Sequence, residues 1–164
     1  MSTLYLLTGT PGAGKTEFVK EWLDNDQGVD TTWRVFCPDD YYAKINGSDL
    51  IHTNSFEVWI AMYQDINQAM KDGCNVVIDT NSPTETMREQ FIDWFPNFDY
   101  YVLVQILADY PTCNRNNSNR ERKIPQDKFD TLYKTYKDPR QDKSLDRWDA
   151  FYTYENKNNT YHIL

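Results

Sequence analysis

Eight residues near the start of the chain, GTPGAGKT at positions 9–16, have the types and spacing of a phosphate cradle. Gly12 and Gly14 permit a turn that aims successive backbone N–H groups at phosphate oxygens, with Ala13 between them. A helix entered through Glu17 would add its positive dipole end to the same spot. Lys15 can reach the β- and γ-phosphates of a nucleotide, and Thr16 can offer its hydroxyl to Mg²⁺. A plain glycine turn would carry none of this, but GxxxxGK[ST] between a strand and a helix is far more specific than glycines alone.

Phosphoryl transfer also needs carboxylates at the edge of the sheet where ligands collect, beyond the carboxyl ends of the strands. Asp79 ends the apolar run NVVID and can hold a Mg²⁺ shell; its bland reading is the N-cap of the next helix. Asp39 and Asp40 follow the run WRVF, and one of them can take the proton of an attacking hydroxyl. A solvated turn or a helix cap is the alternative. Negative charge on the transferred group calls for cations, and Arg115, Arg120, Arg122 and Lys123 form the one dense basic cluster of the chain. Arg grips phosphate oxygens bidentately, though a solvated helix face would look similar.

Alternating strands and helices must position these groups. TLYLLT, WRVF, NVVID and YYVLVQIL read as strands, and the last is apolar enough for burial on both faces of a parallel sheet. Residues 17–24 and 56–70 carry apolar side chains at helical spacing, the second run stopping at Gly73. CPDDYYAKINGSDL reads as a loop, through its Pro, Asp, Asn and Gly. Ser82 is placed to cap a helix with Pro83 in its first turn and Glu85 three residues on. NRNNSNRER could be a polar linker, and ENKNNTYHIL a frayed tail or a last edge strand. The expected fold is α/β, a P-loop NTPase or kinase fold whose parallel sheet is flanked by helices and crossed by an Arg-bearing lid at about residues 109–125.

Bulk properties narrow the class. The 164 residues, 40% hydrophobic and 15% aromatic, suit a single domain over 1–164 with a tail from about residue 140. No positively charged n-region precedes the first apolar run, and no stretch approaches the roughly 20 apolar residues of a membrane span, so a cytoplasmic protein is expected. Cys37, Cys74 and Cys113 are odd in number and widely spaced, which encodes neither a disulfide framework nor a zinc knuckle. A net charge of −8 speaks against a broad nucleic-acid surface. Residues 109–147 nevertheless carry a local +3, against −11 for the remainder. One anion-friendly face on an acidic body is the outcome.

GTPGAGKT, then PDDYY, then VVIDTN, then RNNSNRERKIP running into the helical KFDTLYKTYKDP, resemble in order and spacing the kinase domain of the polynucleotide 5′-kinase family of P-loop kinases. The resemblance covers about residues 3–139. It implies Asp39 as general base, Asp79, Thr80 and Asn81 near acceptor and metal, and lid arginines over the phosphates: Arg115 and Arg120 in catalysis, Arg122 on the nucleotide. Asp40 and Tyr42 would stand on the acceptor side, with ATP as donor and Mg²⁺ as cofactor. The family often has Arg where Tyr42 stands, and its lid arginines are usually four apart, whereas Arg115 and Arg120 are five apart. No DxDxT sequence accompanies the loop, so the kinase part alone is implied. The expected activity is transfer of the γ-phosphate to a nucleic acid or nucleotide-like acceptor, foremost a polynucleotide 5′-hydroxyl. A hydroxymethylated DNA base, a small nucleoside or sugar, and a non-catalytic ATP-binding module are the alternatives, and oligomeric state is left open.

Overall fold

Side chains alternate across a strand, so one buried strand can feed two cores. The computed structural model, which describes residues 1–26 and 32–164, uses β1 (Thr3–Thr8) in this way. Leu4 and Leu6 enter one apolar cluster while Leu7 enters the other. β2 (Trp33–Phe36), β3 (Asn75–Ile78), β4 (Tyr100–Leu107), β5 (Ala150–Lys157) and β6 (Thr160–Ile163) complete a six-stranded sheet in the order β2-β3-β1-β4-β5-β6. The first five run parallel; β6 returns antiparallel along β5. The expected parallel sheet is thus present in five strands, with one antiparallel strand added at its edge.

Helices cover both faces. α1 (Lys15–Asn25), α5 (Tyr110–Asn119) and α6 (Gln126–Thr135) bring Phe18, Val19, Cys113 and Phe129 onto Leu7, Val77 and Val104. α3 (Ser55–Lys71) and α4 (Glu85–Trp94) bring Met62, Ile66, Phe91 and Phe95 onto Leu4, Leu6, Val76 and Leu103. Among the described residues no helix is long and apolar enough to cross a membrane. Cys74 and Cys113 are buried and Cys37 half-buried, all as free thiols.

Four segments depart from the sequence-based expectations. The stretch expected as a loop contains a helix, α2 (Pro38–Asn46), because its punctuating residues are caps. Pro38 occupies the first turn, Asp39 and Asp40 face the dipole's positive end, and Gly47 closes the helix at φ 79° with its N–H on the Ala43 carbonyl. Ser82 does not cap α4; Thr84 does, accepting from the Met87 N–H, and the Glu85 carboxylate instead takes two bonds from Ser144. The asparagine run after β4 is helical as α5, capped by Asp109. Of the two forms expected for ENKNNTYHIL the edge strand is found, as β6, while the tail expected from about residue 140 also holds an inner strand, β5. They are joined by Asn158 and Asn159, both at positive φ, the two-residue turn that suits the twist of a hairpin.

A buried ion pair ties the helical layer to the strand ends. Arg88 of α4, with no exposed surface, donates from Nε and Nη2 to the two carboxylate oxygens of Asp142, both at 2.7 Å, and from Nη1 to the Ser82 carbonyl at 2.8 Å. Breaking a buried pair strands a charge, whereas replacing both members by apolar groups does not. Arg88→Met is expected to lower stability by about 3–5 kcal/mol in urea unfolding. The double variant Arg88→Met/Asp142→Leu should recover most of that loss.

Candidate active site

The turn at residues 9–16 connects β1 to α1, and its carbonyls point away from the cleft it frames. The Lys15 ammonium binds the Gly9 and Thr10 carbonyls at 3.2 and 2.8 Å. Asn116 of α5 donates to the Gly12 carbonyl at 2.8 Å. Asn156 of β5 donates to Ala13 at 2.9 Å, and the Tyr161 hydroxyl of β6 to Gly14 at 2.7 Å. Gly12 and Gly14 hold φ of 77° and 96°; a Cβ on the first would lie 2.3 Å from the Cys113 carbonyl oxygen. No side chain caps α1, so its first N–H groups keep their capacity for an anion. Burial lowers the Lys15 ammonium to about 8, partly opposed by Asp79.

The cleft over this turn has a volume of about 520 Å³. Gly12, Gly14, Lys15, Thr16 and Glu17 form its floor, and Ala13 lies buried beneath. Asp39, at the start of α2, forms one wall; Asp79, Thr80 and Asn81, just past β3, form another. The Thr16 hydroxyl donates to Asp79 Oδ2 at 2.6 Å, placing two hard oxygen donors side by side. Burial pushes the Asp79 carboxyl above its ordinary value, against the pull of Thr16 and Lys15. Asp39 is raised too, first by burial and then by Asp49, while Arg120 and His52 pull it down. Cys37, on the same wall, is pushed up to about 12, mainly by burial, and stays a protonated thiol.

Arg120 and Arg122 close the cleft from the segment after α5, and Arg122 reaches Asp40 at 3.5 Å across its mouth. That pair is well exposed, so it contributes little to stability. Arg115 is exposed on α5 and does not line the cleft. Tyr42 turns inward: only 7% exposed, it stacks on His52 at 4.5 Å and donates to the Ser55 hydroxyl at 3.0 Å. Among the described residues no group of three His, Cys, Asp or Glu could hold a metal by itself. Thr16 and Asp79 stand side by side there, two hard oxygen donors of the kind a cation such as Mg²⁺ takes alongside water and phosphate.

Sequence reasoning missed Asn116, Asn156 and Tyr161. Asn116 and Asn156 lie in asparagine-rich runs that read as a polar linker and as a tail or edge strand. Removing the donors should loosen the loop. Asn156→Ala leaves the Ala13 carbonyl unpaired and is expected to cost about 1–3 kcal/mol. It should also weaken triphosphate binding, with Tyr161→Phe a milder version of both; denaturant unfolding and equilibrium nucleotide binding check this.

Comparison with known proteins places the chain among P-loop proteins. It is 24% identical over 148 residues to an L-seryl-tRNA(Sec) kinase of Methanococcus maripaludis, and spans 53% of that protein's length. Its fold is similar to that of Chaetomium thermophilum Kti12, solved with ADP-AlF3, at a TM-score of 0.68 and 16% identity over 90% of this chain and 87% of that one. It is also similar to a chain of the Pnkp1/Rnl/Hen1 RNA repair complex, at 0.68 and 16% over 82% of this chain and 43% of that one. The family model described as an AAA domain matches residues 4–139, from β1 through α6, and the chain accordingly belongs to the AAA_33 family.

Proposed function

We propose that the chain is an ATP-dependent kinase that transfers the γ-phosphoryl group to a hydroxyl of a nucleic acid, a polynucleotide 5′-hydroxyl being the favoured acceptor. The observation that carries the reading is the meeting of Lys15, Asp39, Asp79 and Arg120 around one cleft. Membership of the AAA_33 family and likeness to a tRNA-directed kinase and to an RNA repair chain support it.

The residues divide the work as follows. Backbone N–H groups of the loop and the Lys15 ammonium bind the donor's phosphates. Asp39 takes the proton of the acceptor hydroxyl as its oxygen forms a bond to the γ-phosphorus and the bond to the leaving ADP breaks. Arg120 and Arg122 offset the charge on the transferring oxygens. Thr16 and Asp79 suit Mg²⁺, which when bound supplies charge neutralisation at the phosphates. Thr80 and Asn81 border the acceptor side, next to Asp40; Tyr42 acts there through the placement of α2 rather than by contact.

Asp39→Asn is expected to lower transfer of labelled γ-phosphate by about 10²–10⁴-fold with nucleotide binding retained. Unchanged turnover would remove Asp39 from the mechanism, and binding without transfer in the unaltered chain, to any acceptor tried, would favour a regulatory ATP-binding module. Lys15→Ala should abolish both transfer and tight triphosphate binding. Asp39 acts ionised, so activity falls as pH falls through its raised value. The acid limb of the rate profile should therefore lie above the ordinary carboxylate range near about 4 and be missing from Asp39→Asn.

A further inference from the structure

Next to the phosphate cleft lies a second cavity of about 360 Å³ that phosphate chemistry does not use. Its walls are Trp59 of α3, Met87, Phe91 and Trp94 of α4, and Leu132 of α6. Met87, Gln90, Phe91 and Trp94 follow i, i+3, i+4, i+7 spacing, one face of a helix. On that face Met87 is 47% and Trp94 40% exposed, so both are open to an occupant of the cavity. Trp59, Phe91 and Trp94 pack on one another with centroids 5.6–6.1 Å apart, giving a rigid aromatic wall.

Three further observations say what this wall is for. The cavity shares Pro11, Thr80 and Asn81 with the phosphate cleft, so an occupant of one borders an occupant of the other. Two amides border it: the side chains of Gln90 and Asn81, both half-buried, make no hydrogen bond to another described residue. Beneath, Ser82 is held at φ 41° with its carbonyl pinned by Arg88 and Thr8, and its buried Oγ has no partner among the described residues. A left-handed serine with an idle hydroxyl is the kind of strain found where a ligand completes the structure.

Resting on the kinase reading above, we infer that this cavity holds the nucleobase of the nucleotide whose hydroxyl is phosphorylated. A base offers a flat apolar face to Trp94 and Trp59 and a hydrogen-bonding edge to Gln90 and Asn81. An aliphatic chain would leave the amides unpaired, and a flat base uses both the aromatic wall and the amides at once. The base comes either from the 5′ end of a strand or from within it, extruded with a hydroxymethyl group as the acceptor. Both sources present the same chemistry to the cavity.

Acceptor oligodeoxynucleotides of ten residues separate these cases: one with a 5′-hydroxyl, the same with an abasic 5′ residue, and a 5′-phosphorylated strand carrying one internal 5-hydroxymethyluracil. KM for labelled phosphate transfer and Kd by tryptophan quenching are measured for the unaltered chain, Trp94→Ala, Met87→Glu and Trp94→Phe. Loss of a base–aromatic stack is expected to raise KM and Kd for the recognised strand about tenfold in Trp94→Ala and Met87→Glu, with Trp94→Phe close to the unaltered chain. An abasic 5′ residue should mimic those variants if the terminal base is the occupant. Preferred labelling of the hydroxymethyluracil strand identifies the extruded base instead. Equal KM for base-bearing and abasic strands, with Trp94→Ala and Met87→Glu unchanged on every strand, would overturn the assignment while leaving the kinase reading intact. Binding that responds to Trp94→Ala without transfer to any strand would keep the cavity and reject the kinase reading.

Discussion

The outward turn of the loop carbonyls at residues 9–16 is the constraint on which the site depends. A peptide group that shows its N–H to one side shows its oxygen to the other, so an anion-binding turn is stable only if its oxygens are satisfied elsewhere. Here Lys15, Asn116, Asn156 and Tyr161 take those oxygens, from α1, α5, β5 and β6. Lys15 and Asn116 also line the cleft, whereas Asn156 and Tyr161 hold the loop from outside it. The glycines permit the turn, and the four donors hold it in one of the many shapes glycine allows.

The second organising element is the segment just past β3. Asp79, Thr80 and Asn81 face the phosphate cleft, whereas Thr80, Asn81 and Ser82 border the aromatic cavity. One short stretch of backbone is thus shared by two binding spaces. Arg88 fixes it from below through the Ser82 carbonyl and is fixed in turn by Asp142. A charge buried this deeply is tolerated because its bidentate partner and the carbonyl together satisfy three of its donors.

Much of this was legible in the sequence, for physical reasons that also mark where legibility ended. The loop and Asp79 could be read because their chemistry and their place at strand ends follow from short runs with strong local preferences. α2 was misread because proline, aspartate and glycine punctuate loops and cap helices alike; only the four-residue interval of helical packing between them decides. Thr84 and Ser82 are both competent caps, and the left-handed backbone at Ser82 follows from Arg88 and Thr8, far away in the chain. Asn116 and Asn156 were illegible because a side-chain amide that donates to a distant carbonyl carries no periodicity. β5 was hidden by its mixed burial, with tyrosines and polar residues alternating where β1, β3 and β4 carry longer apolar runs.

The hairpin of β5 and β6 has a consequence for how such a chain comes into being. Asn156 and Tyr161 reach back 143 and 147 residues to the loop they hold. The phosphate cradle therefore precedes in synthesis the hairpin that completes its shape, and the strands between them are laid down before the two can meet. Until that hairpin docks, the Ala13 and Gly14 carbonyls lack their side-chain donors, and only Lys15 and Asn116 hold the turn. A chain that has yet to lay down its edge hairpin therefore offers a nucleotide a less firmly held loop.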